Sequence, residues 1–164
     1  MNHLTQRVAI LIDEVNIYLT AKRLFGDVKV DYQAILQELN HREIVRAILY
    51  CIETPENNVA TFRNNIRRVG MEVKSKPVKV FSDGKRKGDW DIGIALDAVR
   101  LADKVDVITL VTGDGDFEDL VKYLQHKGVK VELMAFHQRV SGELLRSVDE
   151  FIPIQGTMLL KKSA

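Results

Sequence analysis

Short apolar runs alternate along the chain with segments of helical periodicity, and this alternation most constrains the fold. The runs at 7–12 and 105–111 are rich in β-branched residues and too short for helices, so both are predicted to be buried strands. Further strands are predicted at 43–52, 71–81, 129–136 and 150–154. Strands alternating with helices favour a mainly parallel sheet covered by helices on both faces. We therefore predict an α/β fold with five or six strands.

The length of 164 residues suits one domain, which we place at residues 1–155, followed by a C-terminal tail at 156–164. No apolar run approaches the ~20 residues that span a bilayer, and residues 1–7 lack the pattern of a secretory signal. The single cysteine, Cys51, excludes an internal disulfide and is interpreted as a buried, inert thiol. These features predict a cytoplasmic protein without a membrane partner.

The net charge of only +1 hides a strong segregation of charge along the chain. Residues 61–87 contain nine Lys or Arg against two acidic residues, whereas residues 88–120 contain nine Asp or Glu against two basic residues. An acidic pocket beside a basic surface suits a metal site that acts on a polyanion. The alternative is two ordinary solvated faces whose charges happen to balance.

Acidic residues directly follow two of the predicted buried strands. Asp13 comes after the strand at 7–12, with Asn16 three residues later, and the turn Thr112-Gly113-Asp114-Gly115-Asp116 follows the strand at 105–111. The two glycines are expected to permit positive φ and close backbone approach. Because the carboxyl ends of parallel strands meet at one edge, these carboxylates are predicted to bind a divalent metal there. Each segment alone is also compatible with a simple helix cap or polar turn.

A third acidic group, Asp89, Asp91 and Asp97, lies at the start of a predicted helix that begins at Asp89 or Trp90. Helical geometry prevents all three carboxylates from binding one ion. We favour Asp91 at the site and Asp89 as a cap. Asp97 is expected to be half-buried, either as a structural hydrogen-bonding residue or as a support for the ligands. The buried side of this helix is predicted to consist of Ile92, Ala95, Leu96 and Val99.

An earlier helix is predicted to start at Thr54-Pro55, where a capping residue precedes proline, and to end before Gly70.

Four segments share their residues, order and spacing with a known family. They are Ile12-Asp13-x-x-Asn16, Lys87-Gly88-x-x-Asp91-Ile92-x-Ile94-Ala95-Leu96-Asp97, Thr112-Gly113-Asp114-Gly115-Asp116-Phe117 and Ser141-x-x-Leu144-x-x-x-Val148-Asp149-x-Phe151. As a set they resemble the NYN domain, the branch of PIN-like nucleases that includes the LabA/DUF88 proteins. The resemblance covers nearly the whole chain. It implies a PIN-like three-layer sandwich with strand order 3-2-1-4-5, and Mg²⁺- or Mn²⁺-dependent hydrolysis of phosphodiester bonds, usually in RNA.

The resemblance also implies roles for individual residues. Carried over position by position, the catalytic residues are Asp13, Asp91, Asp114 and Asn16, and the metal ligands are Asp13, Asp91, Asp114 and Asp116. Two pairs of residues depart from the usual family pattern without removing a ligand. They are Glu14 and Val15, where the family often has a glycine and a small or polar residue, and Asp89 and Trp90, which add an acid and a bulky ring.

Substrate contacts are predicted from charge and position. Three basic residues that precede the middle acidic motif are expected to bind phosphates: Lys85, Arg86 and Lys87. Thr112 offers a hydroxyl to the substrate at the end of a strand. Only Trp90 and Phe117 offer aromatic surface for base stacking, so weak sequence preference is expected.

Two alternative functions compete with a nuclease. A haloacid-dehalogenase-type phosphatase would need an aspartate at the position of Val15, which argues against that chemistry. An RNA-binding or regulatory module with little or no turnover would share the fold and the acidic residues. The sequence does not decide between RNA and DNA as the target, nor whether the chain forms a homodimer.

Overall fold

The structure, a computed structural model, describes residues 5–57 and 59–161. Its central sheet consists of β1 (Arg7–Asp13), β3 (Glu43–Glu53), β4 (Glu72–Pro77), β7 (Val107–Val111), β8 (Lys130–Ala135) and β9 (Glu150–Pro153). The shorter strands are β2 (Val28–Val30), β5 (Lys79–Val80), β6 (Arg86–Lys87) and β10 (Leu159–Lys161). The helices are α1 (Glu14–Phe25), α2 (Tyr32–Leu39), α3 (Ala60–Arg68), α4 (Asp91–Leu101), α5 (Glu118–His126) and α6 (Gly142–Ser147).

The six strands of the central sheet are all parallel and lie in the order β4-β3-β1-β7-β8-β9. Counted along the chain within this sheet, the order is 3-2-1-4-5-6, which confirms the predicted order and extends it by one strand. The chain builds the sheet outward from β1 in one direction and then continues from β7 in the other. The carboxyl ends of β1 and β7 therefore form the switch point, where α/β folds usually bind ligands.

The core consists of two apolar layers, one on each face of the sheet. Ile10 and Ile12 of β1 pack in the layer that contains α1 and α2, whereas Leu11 packs in the layer that contains α4 and α5. Because both faces of β1 are buried, its sequence is a continuous apolar run instead of an alternating one. This arrangement confirms the predicted three-layer α/β sandwich.

The start of α3 differs from the prediction. The helix begins at Ala60, six residues after Thr54, because β3 continues through Glu53 and Thr54 then forms an isolated bridge with Asn57. The capping signal at Thr54-Pro55 therefore marks a turn at the end of a strand.

The predicted buried face of α4 was wrong. The helix buries Ile94, Asp97, Ala98 and Leu101, whereas Ile92, Leu96 and Val99 are 76%, 48% and 38% exposed. Both sets have helical spacing, because most residues of α4 are apolar. The observed face packs Ile94, Ala98 and Leu101 in the core and brings Asp97 into contact with residues of other elements.

The pairing of β10 with β2 was not predicted from the sequence. Leu159–Lys161 runs antiparallel to Val28–Val30, and a short 3-10 helix at Gly156–Met158 precedes it. Residues 162–164 of the predicted tail lie outside the described part of the chain. None of the described helices combines the length and the apolar character that crossing a bilayer requires.

Candidate metal centre

Three carboxylates converge at the switch point of the sheet. One oxygen each of Asp91, Asp114 and Asp116 lies within 4.8 Å of the other two. Asp114 and Asp116 belong to the turn after β7, and Asp91 is the first residue of α4. Oxygen ligands lie ~2.0–2.6 Å from Mg²⁺ or Ca²⁺-sized cations, so opposite ligands are about 4–5 Å apart. The spacing and the all-oxygen donor set therefore fit one hard divalent cation.

Asp13 lies beside this group but outside it. Its side chain is at the carboxyl end of β1 and is only 5% exposed. One carboxylate oxygen accepts a hydrogen bond of 3.3 Å from the backbone N–H of Asn16, and the other accepts one of 3.0 Å from the hydroxyl of Thr112. Asp13 therefore caps α1 and, at the same time, contributes negative charge to the cluster.

Hydrogen bonds tie the motif after β1 to the motif after β7. The N–H of Gly113 donates to the Asn16 side-chain oxygen at 2.8 Å, and the N–H of Asp114 donates to the Thr112 hydroxyl at 3.2 Å. Within the turn, the N–H of Asp116 donates to Asp114 at 3.0 Å. Asn16 and Thr112, both predicted site residues, thus position the turn that contains two of the three clustered acids.

Close packing explains one of the two glycines in this turn. A Cβ on Gly115 would lie 2.8 Å from the Ser141 hydroxyl oxygen, and the Ser141 N–H donates to the Gly113 carbonyl at 3.2 Å. Neither Gly113 nor Gly115 has positive φ, so that part of the prediction was wrong and only the close approach at Gly115 is confirmed. The sequence places Ser141 only in a later motif. Its contact with Gly115 could not be predicted, because the fold brings the two residues together.

The local electrostatics oppose ionisation of two of the acids. Burial, and then the charges of Asp114, Asp89, Asp13 and Asp116, raise the pKa of Asp91 to about 6. Burial also raises the pKa of Asp13, although the hydrogen bonds from Asn16 and Thr112 counteract it in part. Like charges this close together are stabilised by a cation between them. The cluster therefore has the electrostatic character of a metal site.

The sequence profile of the NYN domain matches residues 7–155, which contain every acidic residue of this site. The chain belongs to the NYN domain family. NYN domains are a family of PIN-like nucleases, and this membership favours nuclease chemistry over the phosphatase alternative.

Two relatives match this NYN protein over most of their length. It is 28% identical to the low amplitude and bright protein LabA of Synechococcus elongatus over 158 residues, which cover 90% of this chain and 83% of LabA. It superposes on the crystal structure of VPA0982, a protein of unknown function from Vibrio parahaemolyticus, with a TM-score of 0.87 and 34% identity. That match covers 98% of this chain and 99% of the other.

Asp97 of the NYN domain is held by a structural network. Its carboxylate accepts hydrogen bonds from the Tyr50 hydroxyl and the Lys74 ammonium, both at 2.7 Å, and from Arg100 at 3.4 Å. Although burial opposes it, Lys74, Tyr50 and Arg100 together lower the pKa of Asp97. These contacts connect α4 to β3 and β4. They support the structural interpretation of Asp97 over a role in holding the metal ligands.

The prediction of Asp89 as the helix cap holds only in part. Its carboxylate accepts a hydrogen bond of 3.2 Å from the N–H of Asp91, but the N-cap position of α4 is Trp90.

The predicted phosphate contacts lie on the β5–β6 hairpin, at 79–87. Arg86 makes two hydrogen bonds to Glu56, at 2.7 and 2.9 Å, and Lys85 lies 3.6 Å from Asp83. Lys87 has no ionic partner among the described residues. Lys85 and Lys87 are thus better placed than Arg86 to meet a polyanion.

Neither aromatic residue near the site offers an open surface for stacking. The Trp90 indole N–H donates to the Cys51 carbonyl at 2.8 Å, and the Lys76 ammonium lies 4.4 Å from the centroid of the indole ring. Phe117 is only 2% exposed. Trp90 therefore anchors the start of α4 to the end of β3.

Proposed function

We propose that this NYN protein is a metal-dependent ribonuclease that hydrolyses phosphodiester bonds at its aspartate cluster. The observation that carries the proposal is the convergence of Asp91, Asp114 and Asp116 within 4.8 Å at the switch point of the sheet. Family membership supports nuclease chemistry, and clustered carboxylates are the usual ligands of the cations that assist phosphoryl transfer.

Asp91, Asp114 and Asp116 would hold Mg²⁺ or Mn²⁺, because hard cations prefer carboxylate oxygens. A cation at this position supplies positive charge to a phosphate and makes a water molecule a better nucleophile at neutral pH. Asp13 adds a nearby negative charge that favours cation binding, since its charge already acts on Asp91.

The remaining predicted residues orient these groups. Thr112 holds the Asp13 carboxylate and the Asp114 backbone, and Asn16 holds Gly113. Lys85 and Lys87 would attract the phosphates that flank the cleaved bond, because both are exposed on the hairpin after β4. In this scheme the protein contributes fixed geometry and charge, and the RNA strand lies across the carboxyl edge of the sheet.

Labelled single-stranded RNA tests the proposal directly. The wild-type protein should cleave RNA in Mn²⁺ or Mg²⁺ and not in EDTA, and Asp114→Asn should reduce cleavage by about 10²–10³-fold, which corresponds to several kcal/mol. Asp103→Asn is the matched control, because Asp103 is an exposed aspartate that pairs with Lys127, outside the cluster. Single-stranded DNA of the same sequence, in parallel, tests the preference for RNA.

Three outcomes would contradict the ribonuclease. A wild-type protein that binds RNA but never cleaves it in Mn²⁺ would favour the binding or regulatory module. Equal cleavage by the wild type and by Asp114→Asn would indicate a contaminating nuclease. Faster cleavage of DNA than of RNA would support nuclease activity but make DNA the substrate.

A further inference from the structure

A cavity of about 650 Å³ lies on the face of the sheet covered by α1 and α3, with Glu14, the residue after Asp13, in its wall. It lies over the carboxyl end of β3, and α1, β2 and α3 contribute to its walls. Its lining includes Glu14, Tyr32, Cys51, Phe62 and Asn65. Its volume is within the range of about 300–1,000 Å³ that is typical of small-molecule sites.

The wall of this cavity contains a buried hydroxyl without a hydrogen-bond partner. Tyr32 is 5% exposed, and its hydroxyl oxygen has no partner among the residues that the structure describes. Burial, followed by the charges of Glu14, Asp13 and Cys51, raises the pKa of this phenol, so its oxygen lies near residues of the cavity wall. Most buried polar side-chain atoms in proteins are hydrogen-bonded. The Tyr32 hydroxyl is therefore a donor, unpaired among the described residues, that lies behind the cavity wall and that a ligand reaches when the side chains that cover it move.

The rest of the lining suits a flat, mostly apolar ligand with polar edges. The ring of Phe62 lines the cavity and packs edge to face against Tyr32, with ring centroids 6.0 Å apart. Asn65 also lines the cavity and is exposed, which places an amide at its mouth. Lys29 is the only basic residue that lines it within the described chain. This composition disfavours a phosphate and favours a heterocyclic base.

The position of the cavity connects it to the acidic cluster. Glu14 in its wall directly follows Asp13, and Gly88 in its wall precedes Asp91 by three residues. A strand that crosses the carboxyl edge of the sheet would thus pass the mouth of the cavity.

We propose that this cavity holds one unpaired nucleobase of the RNA strand bound at the acidic cluster, with Phe62 against the ring and Tyr32 and Asn65 bonded to its edge. The inference rests on the proposed function, because it assumes that an RNA strand is bound at the acidic cluster. Single-stranded RNA is commonly recognised through bases that are splayed out and packed against aromatic side chains. A free mononucleotide carries the same base, so the experiment has to distinguish a base of the bound RNA strand from the base of a free nucleotide.

Binding of RNA in EDTA tests the inference without requiring cleavage. We would use single-stranded RNA nonamers, intact or with one abasic position moved along the strand. One abasic position should weaken binding to the wild type roughly tenfold, in line with the effect of stacking a single base on an aromatic ring. Phe62→Ala and Tyr32→Phe should shrink this difference, whereas Tyr123→Phe, a change at an exposed tyrosine of α5, should leave it unchanged.

Tyr32→Phe removes one hydroxyl and keeps the ring, so it also reports on the alternative that the hydroxyl serves only the fold. The inference predicts that Tyr32→Phe has an unchanged or slightly higher melting temperature and a smaller base effect, where the base effect is the difference in affinity between intact and abasic RNA. A lower melting temperature with an unchanged base effect would overturn it and assign the hydroxyl a structural role.

Two further results would overturn the inference while leaving the nuclease intact. The first is equal affinity for intact and abasic RNAs by a wild-type protein that cleaves RNA. The second is a mononucleotide that binds the wild type as tightly as the nonamer does and is lost in Tyr32→Phe, which would make the ligand a free nucleotide. Conversely, a base effect in a protein that never cleaves RNA would support the cavity and contradict only the catalysis.

Discussion

The Thr112 hydroxyl donates a hydrogen bond of 3.0 Å to the Asp13 carboxylate and so joins two residues that are 99 positions apart. The same hydroxyl oxygen accepts the N–H of Asp114. One side chain therefore holds the buried acid after β1 and the turn that contains Asp114 and Asp116. The two acidic motifs depend on each other for their geometry.

Replacing Thr112 by valine should weaken Mn²⁺ binding by about 10–100-fold, since residues that orient metal ligands typically have effects of this size. Valine keeps the shape and removes both hydrogen bonds, whereas Thr112→Ser keeps the hydroxyl and serves as the control. Calorimetric titration with Mn²⁺ measures the effect. Wild-type affinity in Thr112→Val would show that these bonds do not organise the site.

In the metal-free protein, the contribution of Asp91 to thermal stability should fall as the pH rises from about 4 to 6. The folded-state pKa of Asp91 is about 6 against an ordinary value of 3.8, so its contribution to stability is complete below pH ~4 and is lost as the pH rises through 6. Glu14, whose pKa burial and Asp13 raise to about 7, extends the trend upward. Melting temperatures in EDTA from pH 4 to 8 measure it.

Asp91→Asn is the matched variant for this pH profile. It should flatten the fall between pH 4 and 6, and saturating Mn²⁺ should abolish much of the fall in the wild type, because the cation compensates the ionised carboxylates. Parallel profiles of melting temperature against pH for the wild type and Asp91→Asn in EDTA would contradict the raised pKa of Asp91.

Tyr50→Phe should lower the free energy of unfolding by about 1.5–3 kcal/mol, the usual contribution of a hydrogen bond to a charged group. It removes the 2.7 Å bond to Asp97 and leaves the ring in place. Mn²⁺ affinity should not change, because the contacts of Asp97 are with Tyr50, Lys74 and Arg100. Urea unfolding and a metal titration are the two measurements. A large loss of affinity would restore a role for Asp97 in supporting the ligands.

Neutralising Lys85 and Lys87 together, each to glutamine, should weaken RNA binding and reduce its dependence on salt. For single-stranded RNA, each lost phosphate contact lowers the slope of log affinity against log salt by ~0.7. Arg86→Gln should change the slope less, because Glu56 already binds its guanidinium. Lys104→Gln, at an exposed lysine just before β7, is the control. If the double variant and the control have identical slopes, the hairpin is only a solvated loop.

The sequence predicted the features that depend on local pattern. The buried strands β1 and β7 are continuous apolar runs, and the acids that follow them lie at the same edge because the sheet is parallel. The NYN resemblance supplied the strand order, which periodicity alone leaves open. Asp91 is preferred over Asp89 because it lies in the first turn beside the predicted apolar stripe of α4. That stripe was wrong, but the structure does place Asp91 with Asp114 and Asp116.

Features that depend on distant contacts could not be predicted. The apolar sequence of α4 allows two buried faces, and the observed one packs Ile94 and Ala98 in the core while Asp97 bonds to residues of other strands. Tyr32 had no visible role in the sequence, because its cavity is formed by segments as distant as α1, α3 and β10. The pairing of β10 with β2 likewise brings together residues more than a hundred positions apart.

The central position of β1 has a consequence for the order of events during synthesis. On the ribosome, β1 can pair with β3 and β3 with β4 while the remainder of the chain is still being made, but its other neighbour, β7, is made only later. A nascent chain that has emerged through β4 carries Asp13 without Asp91, Asp114 or Asp116. In the nascent chain, the proposed metal site therefore remains incomplete until the chain through Asp116 has left the exit tunnel.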